Sequence, residues 1–267
     1  MKNILLLAHE DNGQQARLQA ALDLVRAFDG HLTCLDVIDV PVIDGGAWSG
    51  LGHDTLVAEA RRIETNNRHK MQERLRHEAV RWEWRELSGR IADCLAQIAA
   101  LADLVVTSAH VSGLFGPDEH EIASDLLVRS RTPVLTVPDD LCRLDISGPA
   151  IVAWNGSNQA AAALRASVPL LKLASHVVLV EIDDDSIGIP AEQAAAYLTR
   201  YGLTPSVQRD TMMLPQVEKM LMEAVAEHQA GFVVMGAFGH WRTTEAIFGG
   251  VSRGMLLHSP VPLFMAH

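Results

Sequence analysis

The sequence is short of cysteine, of basic charge and of long apolar runs. Only Cys34, Cys94 and Cys142 occur in 267 residues. Three widely spaced thiols exclude a disulfide framework or a zinc knuckle and predict a reducing compartment. Lys and Arg together number 22 against 33 Asp and Glu, a formal net charge of −11. That balance argues against a general nucleic-acid binder and against a protein of anionic membrane surfaces, since both need a basic face. No apolar stretch approaches the ~20 residues that span a bilayer. Met1 and Lys2 lead straight into Asn3-Ile4-Leu5-Leu6-Leu7 without a signal-peptide pattern, so the expectation is a soluble, cytoplasmic protein. Also missing are a P-loop with its lysine, a nucleophile elbow and paired zinc ligands. No catalytic or metal-binding residue is therefore assigned.

What is present is written twice. Ile4-Leu5-Leu6-Leu7-Ala8 is an apolar run, followed by the polar turn His9-Glu10-Asp11-Asn12-Gly13 and a helical pattern over Gln14–Phe28 (Leu18, Ala21, Leu22, Val25). Ile151-Val152-Ala153-Trp154, the turn Asn155-Gly156-Ser157-Asn158 and a helical pattern over 159–173 repeat it, with His9 opposite Asn155. Ala102-Asp103-Leu104-Val105-Val106 mirrors Ala230-Gly231-Phe232-Val233-Val234, and Thr132-Pro133-Val134-Leu135-Thr136-Val137 mirrors Val261-Pro262-Leu263-Phe264-Met265-Ala266. Between the two matches the first half carries about 18 extra residues, around positions 41–68. There the glycine-rich stretch 45–52 reads as a loop before a long helix. The expected domains are 1–140 and 147–267.

Each half reads as strands alternating with helices, and the strands are apolar without polar alternation. That pattern suits a parallel sheet covered on both faces, so the expected fold is α/β: two repeated, doubly wound, open parallel sheets of Rossmann-like type. Pro133 and Pro262 open the last strands, which predicts edge positions. Pairing of these two strands within the chain would make an internal pseudo-dimer of the halves, and a homodimer of chains stays open beside it.

The chemically suggestive segment is Met235-Gly236-Ala237-Phe238-Gly239-His240, followed by Phe248-Gly249-Gly250-Val251-Ser252-Arg253. It follows a strand and leads into a short helix over about 251–258. Open α/β sheets bind ligands at the carboxyl ends of their strands, glycines let backbone approach a phosphate, and a helix N-terminus offers free N–H groups. Ser252 offers a hydroxyl donor or a helix cap. Arg253 offers a phosphate contact or a surface ion pair, and His240 flanks the loop. Gly236 and Gly239 alone are also compatible with a plain turn.

The Gly-x2-Gly-x9-Gly spacing resembles the nucleotide signature of the universal stress protein family, and residues 151–157 resemble that family's opening strand and turn. The resemblance covers nearly the whole chain as two tandem domains, with the clearer motif in the second. It implies an adenine nucleotide alpha hydrolase-like fold and a cytoplasmic stress-response protein that binds ATP (or AMP or ADP) in its C-terminal domain as a regulatory or protective module. The implied contacts are Ala153 and Asn155 after the first strand and Glu181 beside the adenine. The phosphate cradle would be Met235, Gly236, Gly239, His240, Gly249, Gly250, Val251, Ser252 and Arg253. Asn155 replaces the family's usual Asp and brings no charge for a divalent metal, which argues against a magnesium requirement. Gly250 stands where Ser or Thr is usual.

The first half departs further. Ser108 replaces Gly236, Val111 replaces Gly239, and His120-Glu121 replace the glycine pair. Asp118, Glu119 and Glu121 would set carboxylates where phosphate should lie, so this half is expected not to bind ATP. Two alternatives remain: a tandem scaffold that binds no nucleotide, and a slow ATP-hydrolysing or adenylating enzyme.

Overall fold

The apolar runs become strands because helices cover them on both sides. The computed structural model of the chain describes residues 1–38, 51–109, 111, 122–182, 188–210, 217–237 and 250–267. Its inner strands β1 (Asn3–Leu7), β4 (Leu104–Ser108), β6 (Ala150–Trp154) and β9 (Phe232–Gly236) are buried along almost their full length. Around them lie β2 (His31–Ile38), β3 (Arg81–Ser88), β5 (Val134–Val137), β7 (Val177–Ile182), β8 (Ser206–Asp210) and β10 (Leu263–Ala266). The helices are α1 (Gln14–Phe28), α2 (Leu51–Arg76), α3 (Ile91–Ala99), α4 (Ile122–Arg129), α5 (Asn158–Leu171), α6 (Ala191–Thr199), α7 (Val217–His228) and α8 (Gly250–His258).

The strands form one ten-stranded sheet in the order β3-β2-β1-β4-β5-β10-β9-β6-β7-β8. Read outward from the centre, both halves have the same order. All neighbours are parallel except β5 and β10, which pair antiparallel through Leu263 with Thr136, Phe264 with Leu135 and Met265 with Val134. Alternate residues of each strand feed opposite layers. Leu6, Leu18, Leu22, Leu164, Val234 and Phe264 share one core layer. Leu5, Leu95, Val105, Val180, Leu221 and Met255 share the other. Both layers run across both halves, so the β5–β10 seam is core. Each fully buried Leu, Val or Phe along it contributes about 1.5–3 kcal/mol of transfer free energy.

Within each half β5 and β10 are the outermost strands, as Pro133 and Pro262 predict, and the two edges cover each other by pairing. They thereby become the two central strands of the whole sheet, and the prolines sit one residue before strands of only four residues. Their carbonyls still accept bonds, from Val105 N at 2.9 Å and Val233 N at 3.0 Å. The missing N–H falls ahead of the ladder, where it disrupts nothing. The edges of the whole sheet are β3 and β8. Exposed Arg81, Arg85 and Glu86 on β3 keep that edge from pairing further. Trp82 and Trp84 pack part-buried against the core, as their alternation suggests.

The extra residues of the first half lengthen α2 to 26 residues, against nine in its counterpart α6. Leu51 and Gly52, read as loop, open this helix, and positions 45–50 lie outside the described residues. Met71 and Leu75 bury one face of α2, and Glu64 and Asn67 continue that face as buried polar groups. Spacings of three and four residues hold all four on one side of the helix.

Candidate functional site

Strand order reverses between β6 and β9 in the second half and between β1 and β4 in the first. A doubly wound sheet forms its ligand crevice at such points. In the second half β6 ends in a turn that the sequence specifies locally. Asn155 Oδ1 accepts bonds from Ser157 N at 3.2 Å and Ser157 Oγ at 2.7 Å, leaving its amide Nδ2 as the free donor. Ser157 Oγ accepts from Ala160 N at 3.1 Å and caps α5. Gly156 has φ +68°, and a Cβ there would lie 2.7 Å from Ile189 N and O. Ile189 N donates to Gly156 O at 3.2 Å and Trp154 Nε1 donates to Ile189 O at 2.8 Å, so the chain entering α6 is pinned across the turn.

Gly236 ends β9 directly against the start of α5. A Cβ on it would come within 2.4 Å of Ala160 N and 2.5 Å of Gln159 C. The strand end and the first turn of α5 therefore meet without an intervening side chain. α8 opens at Gly250, and a Cβ there would meet nothing within 4 Å. Because β9 and β10 run parallel, the α8 N-terminus lies at the carboxyl end of the sheet, the same end as α5's. Ser252 is the third residue of α8 and mostly buried, which removes the reading of it as the helix cap; Val251 is half-buried and Arg253 exposed.

The remaining assigned residues divide. The side chains of Ala153 and Met235 belong to the core layer under α7 and α8, so only their backbone lies at the strand ends. Glu181 is buried and committed: Oε1 accepts from Ala191 N at 2.7 Å at the start of α6, and Oε2 accepts from Arg209 Nε at 2.8 Å. Gly239, His240 and Gly249 lie outside the described residues. His267 Nδ1 lies 2.9 Å from Ala237 O, fastening the end of β10 beside the β9 terminus.

The same place in the first half is filled by side chains. Arg17, fully buried on α1, donates from Nε to Leu7 O at 3.2 Å, from Nη2 to His9 O at 2.8 Å and from Nη1 to Ser108 Oγ at 2.8 Å. Its ion pair with Asp11 closes at 2.8 Å. Burial pulls the guanidinium below its ordinary value while Asp11 and Asp139 pull it back up. A Cβ on Gly13 would lie 2.3 Å from Asp139 Oδ1 and 2.4 Å from Ser108 Oγ. Beside this cluster His9 Nδ1 lies 3.2 Å from Glu64 Oε1, and Gln14 and Asn67 exchange bonds of 2.8 and 2.9 Å. Val111 is buried, whereas His110, Asp118, Glu119, His120 and Glu121 lie outside the described residues.

Sequence reading missed Arg17, Asp36 and Glu64. The signals were present: Asp36 continues the inward row Leu32, Cys34, and Arg17 adjoins Leu18 on the buried side of α1. Burial pushes the Cys34 thiol up to about 12, so it packs as a small hydrophobe. Among the described residues no cluster of His, Cys, Asp and Glu is arranged to hold a metal, and no helix is long and apolar enough to cross a membrane.

Comparison with known proteins agrees with this architecture. A universal stress protein from Archaeoglobus fulgidus DSM 4304 superposes with a TM-score of 0.76 at 16% identity, covering 99% of this chain and 96% of that one. A Pseudomonas aeruginosa UCBPP-PA14 protein described as a universal stress protein gives a TM-score of 0.62 at 15% identity, with 100% and 93% covered. At these identities the likeness is one of fold. No curated protein matches the sequence. A model of the universal stress protein family matches residues 1–138. That span is the half in which the sequence carries the weaker motif. The chain belongs to the universal stress protein family.

Proposed function

We propose that the C-terminal half binds an adenine nucleotide, ATP foremost, and that occupancy is the regulatory signal of this stress protein. The observation that carries the reading is the bare junction at the order reversal. Gly236 abuts the first turn of α5, and α8 opens nearby at a glycine with open space around it. Two helix N-termini at one sheet end turn favourable dipoles toward phosphate oxygens, with no side chain on Gly250 to keep the phosphates away. Asn155 Nδ2 would donate to a ribose hydroxyl, and the backbone of Val180 and Glu181 would edge the base. Ser252, Arg253 and the segment carrying Gly239, His240 and Gly249 would complete the phosphate contacts.

The residues fit a nucleotide better than they fit a metal. The Glu181 carboxylate is spent on Ala191 N and Arg209, and Asn155 is uncharged. Magnesium would then be held by the phosphates and little else. In the first half Arg17, Asp11, Ser108 and Asp139 occupy the equivalent place, so one nucleotide per chain is expected. Calorimetric titration with ATP, with and without magnesium, tests this. Binding near one per chain and little changed by chelator is the expected result. No binding would favour the scaffold reading instead, and two sites would contradict the filled first half.

A further inference from the structure

The insertion that lengthens α2 creates a second sealed polar cluster, which the nucleotide reading does not use. Asp36 stands on β2 at the end of the row Leu32, Cys34, Asp36, facing α2, and is 1% exposed. Opposite it α2 places Glu64, 2% exposed, whose Oε1 lies 3.2 Å from His9 Nδ1 and whose Oε2 accepts from Asn67 Nδ2 at 3.5 Å. From β3 the neighbour is Glu86, paired in register with Asp36, and from the next turn of α2 it is Arg68. Arg68 is half-exposed and bridges to Glu86 at 3.5 Å. From α1 the cluster meets Gln14, which is uncharged and bonded to Asn67. Among the described residues no donor reaches either carboxyl oxygen of Asp36.

His9 and Asn67 serve Glu64, but Asp36, buried beside that carboxyl without a donor of its own, cannot ionise cheaply as well. Either a cation or a proton must stand there. The described residues form no three-ligand group suited to a metal, so the proton is the simpler occupant. We propose that Asp36 is a proton-operated latch for α2: neutral, it donates to Glu64 and holds the helix over the strand ends; ionised, it repels Glu64 and frees the docked face of α2. Burial first, and Glu64 second, push the Asp36 carboxyl up to about 8. The folded chain thus keeps a proton that the unfolded chain releases in the ordinary carboxylate range. The stabilisation is complete below that range and is lost as pH rises through about 8. The latch closes at neutral pH and opens under alkaline conditions. It acts on the helix that covers His9, the residue opposite Asn155 of the other half, and does not depend on nucleotide binding.

Hydrogen exchange of the full chain from about pH 6 to about pH 10, corrected for intrinsic exchange, tests the latch. Amides of α2 from residue 64 to 76 should lose protection by about tenfold or more relative to α1 as pH passes the midpoint. In Asp36→Asn, whose amide donates at every pH, the ratio should stay flat. An equal loss in both proteins, or none in either, overturns the proposal. Infrared difference spectra of the unsubstituted protein keep the test open if the variant does not fold. A neutral carboxyl band must be present at neutral pH and disappear with the same midpoint; its absence overturns the proposal. Loss of α2 protection on adding chelator at constant neutral pH would also overturn it, in favour of a bound cation.

Discussion

The two halves share one strand order and resolve its order-reversal point in opposite ways. In the second half the glycine is on the strand, where Gly236 lets β9 touch the first turn of α5. In the first half the glycine is on the helix side: Gly13 makes room for Ser108 and Asp139, and Arg17 fills what remains. Even the helix caps differ. Ser157 caps α5 with its side chain, and Gly13 caps α1 with none. One framework thus brings backbone against backbone at this point in one half and sets a self-satisfied ionic cluster there in the other.

The largest break in that comparison should come from Arg17→Met. It leaves Asp11 buried without its cation and strips donors from Leu7 and His9 carbonyls, for an expected loss of about 3–5 kcal/mol in denaturant unfolding. ATP affinity of the folded fraction should not change. Next is Gly236→Ala, whose Cβ meets α5 backbone, and about 1–3 kcal/mol is expected. Binding would suffer too, so this variant cannot separate fold from ligand. Ser157→Ala removes the α5 cap and should lower thermal stability by about 1 kcal/mol. Smallest in stability is Gly250→Val, because the added side chain enters open space. It should unfold like the parent yet weaken ATP at least about tenfold by calorimetry, as a side chain enters the phosphate approach. Unchanged affinity there would mean that α8 does not carry the phosphates.

Much of the fold was legible because its signals are local and periodic. Residues 4–7, 104–106, 151–154 and 232–235 are short uninterrupted apolar runs bounded by turn residues, which suit doubly covered strands, and the second-half turn Asn155-Gly156-Ser157 specifies its own bonds. Pro133 and Pro262 marked the outermost strand of each half, and only the folded chain shows those two edges joined into the middle of one sheet. The ladder shows as well that the missing N–H of each proline was never needed. Arg17 and Asp36 were missed because an isolated charge in an apolar pattern is read as a surface residue unless its partners are known. Those partners, Ser108 for Arg17 and Glu64 for Asp36, come from distant elements of the chain.

The sequence by itself determined the α/β class, the repeated order of elements, the longer crossover of the first half and the glycines of the second. Each follows from side-chain period, turn residues or the absence of a Cβ, which are properties of neighbouring residues. Tertiary structure alone decided that β5 and β10 join the halves into one sheet, that Glu181 is committed to Ala191 and Arg209, and that charges fill the first crevice. Burial and pairing set the energy of a charged group, and both depend on elements that meet only when the chain is folded.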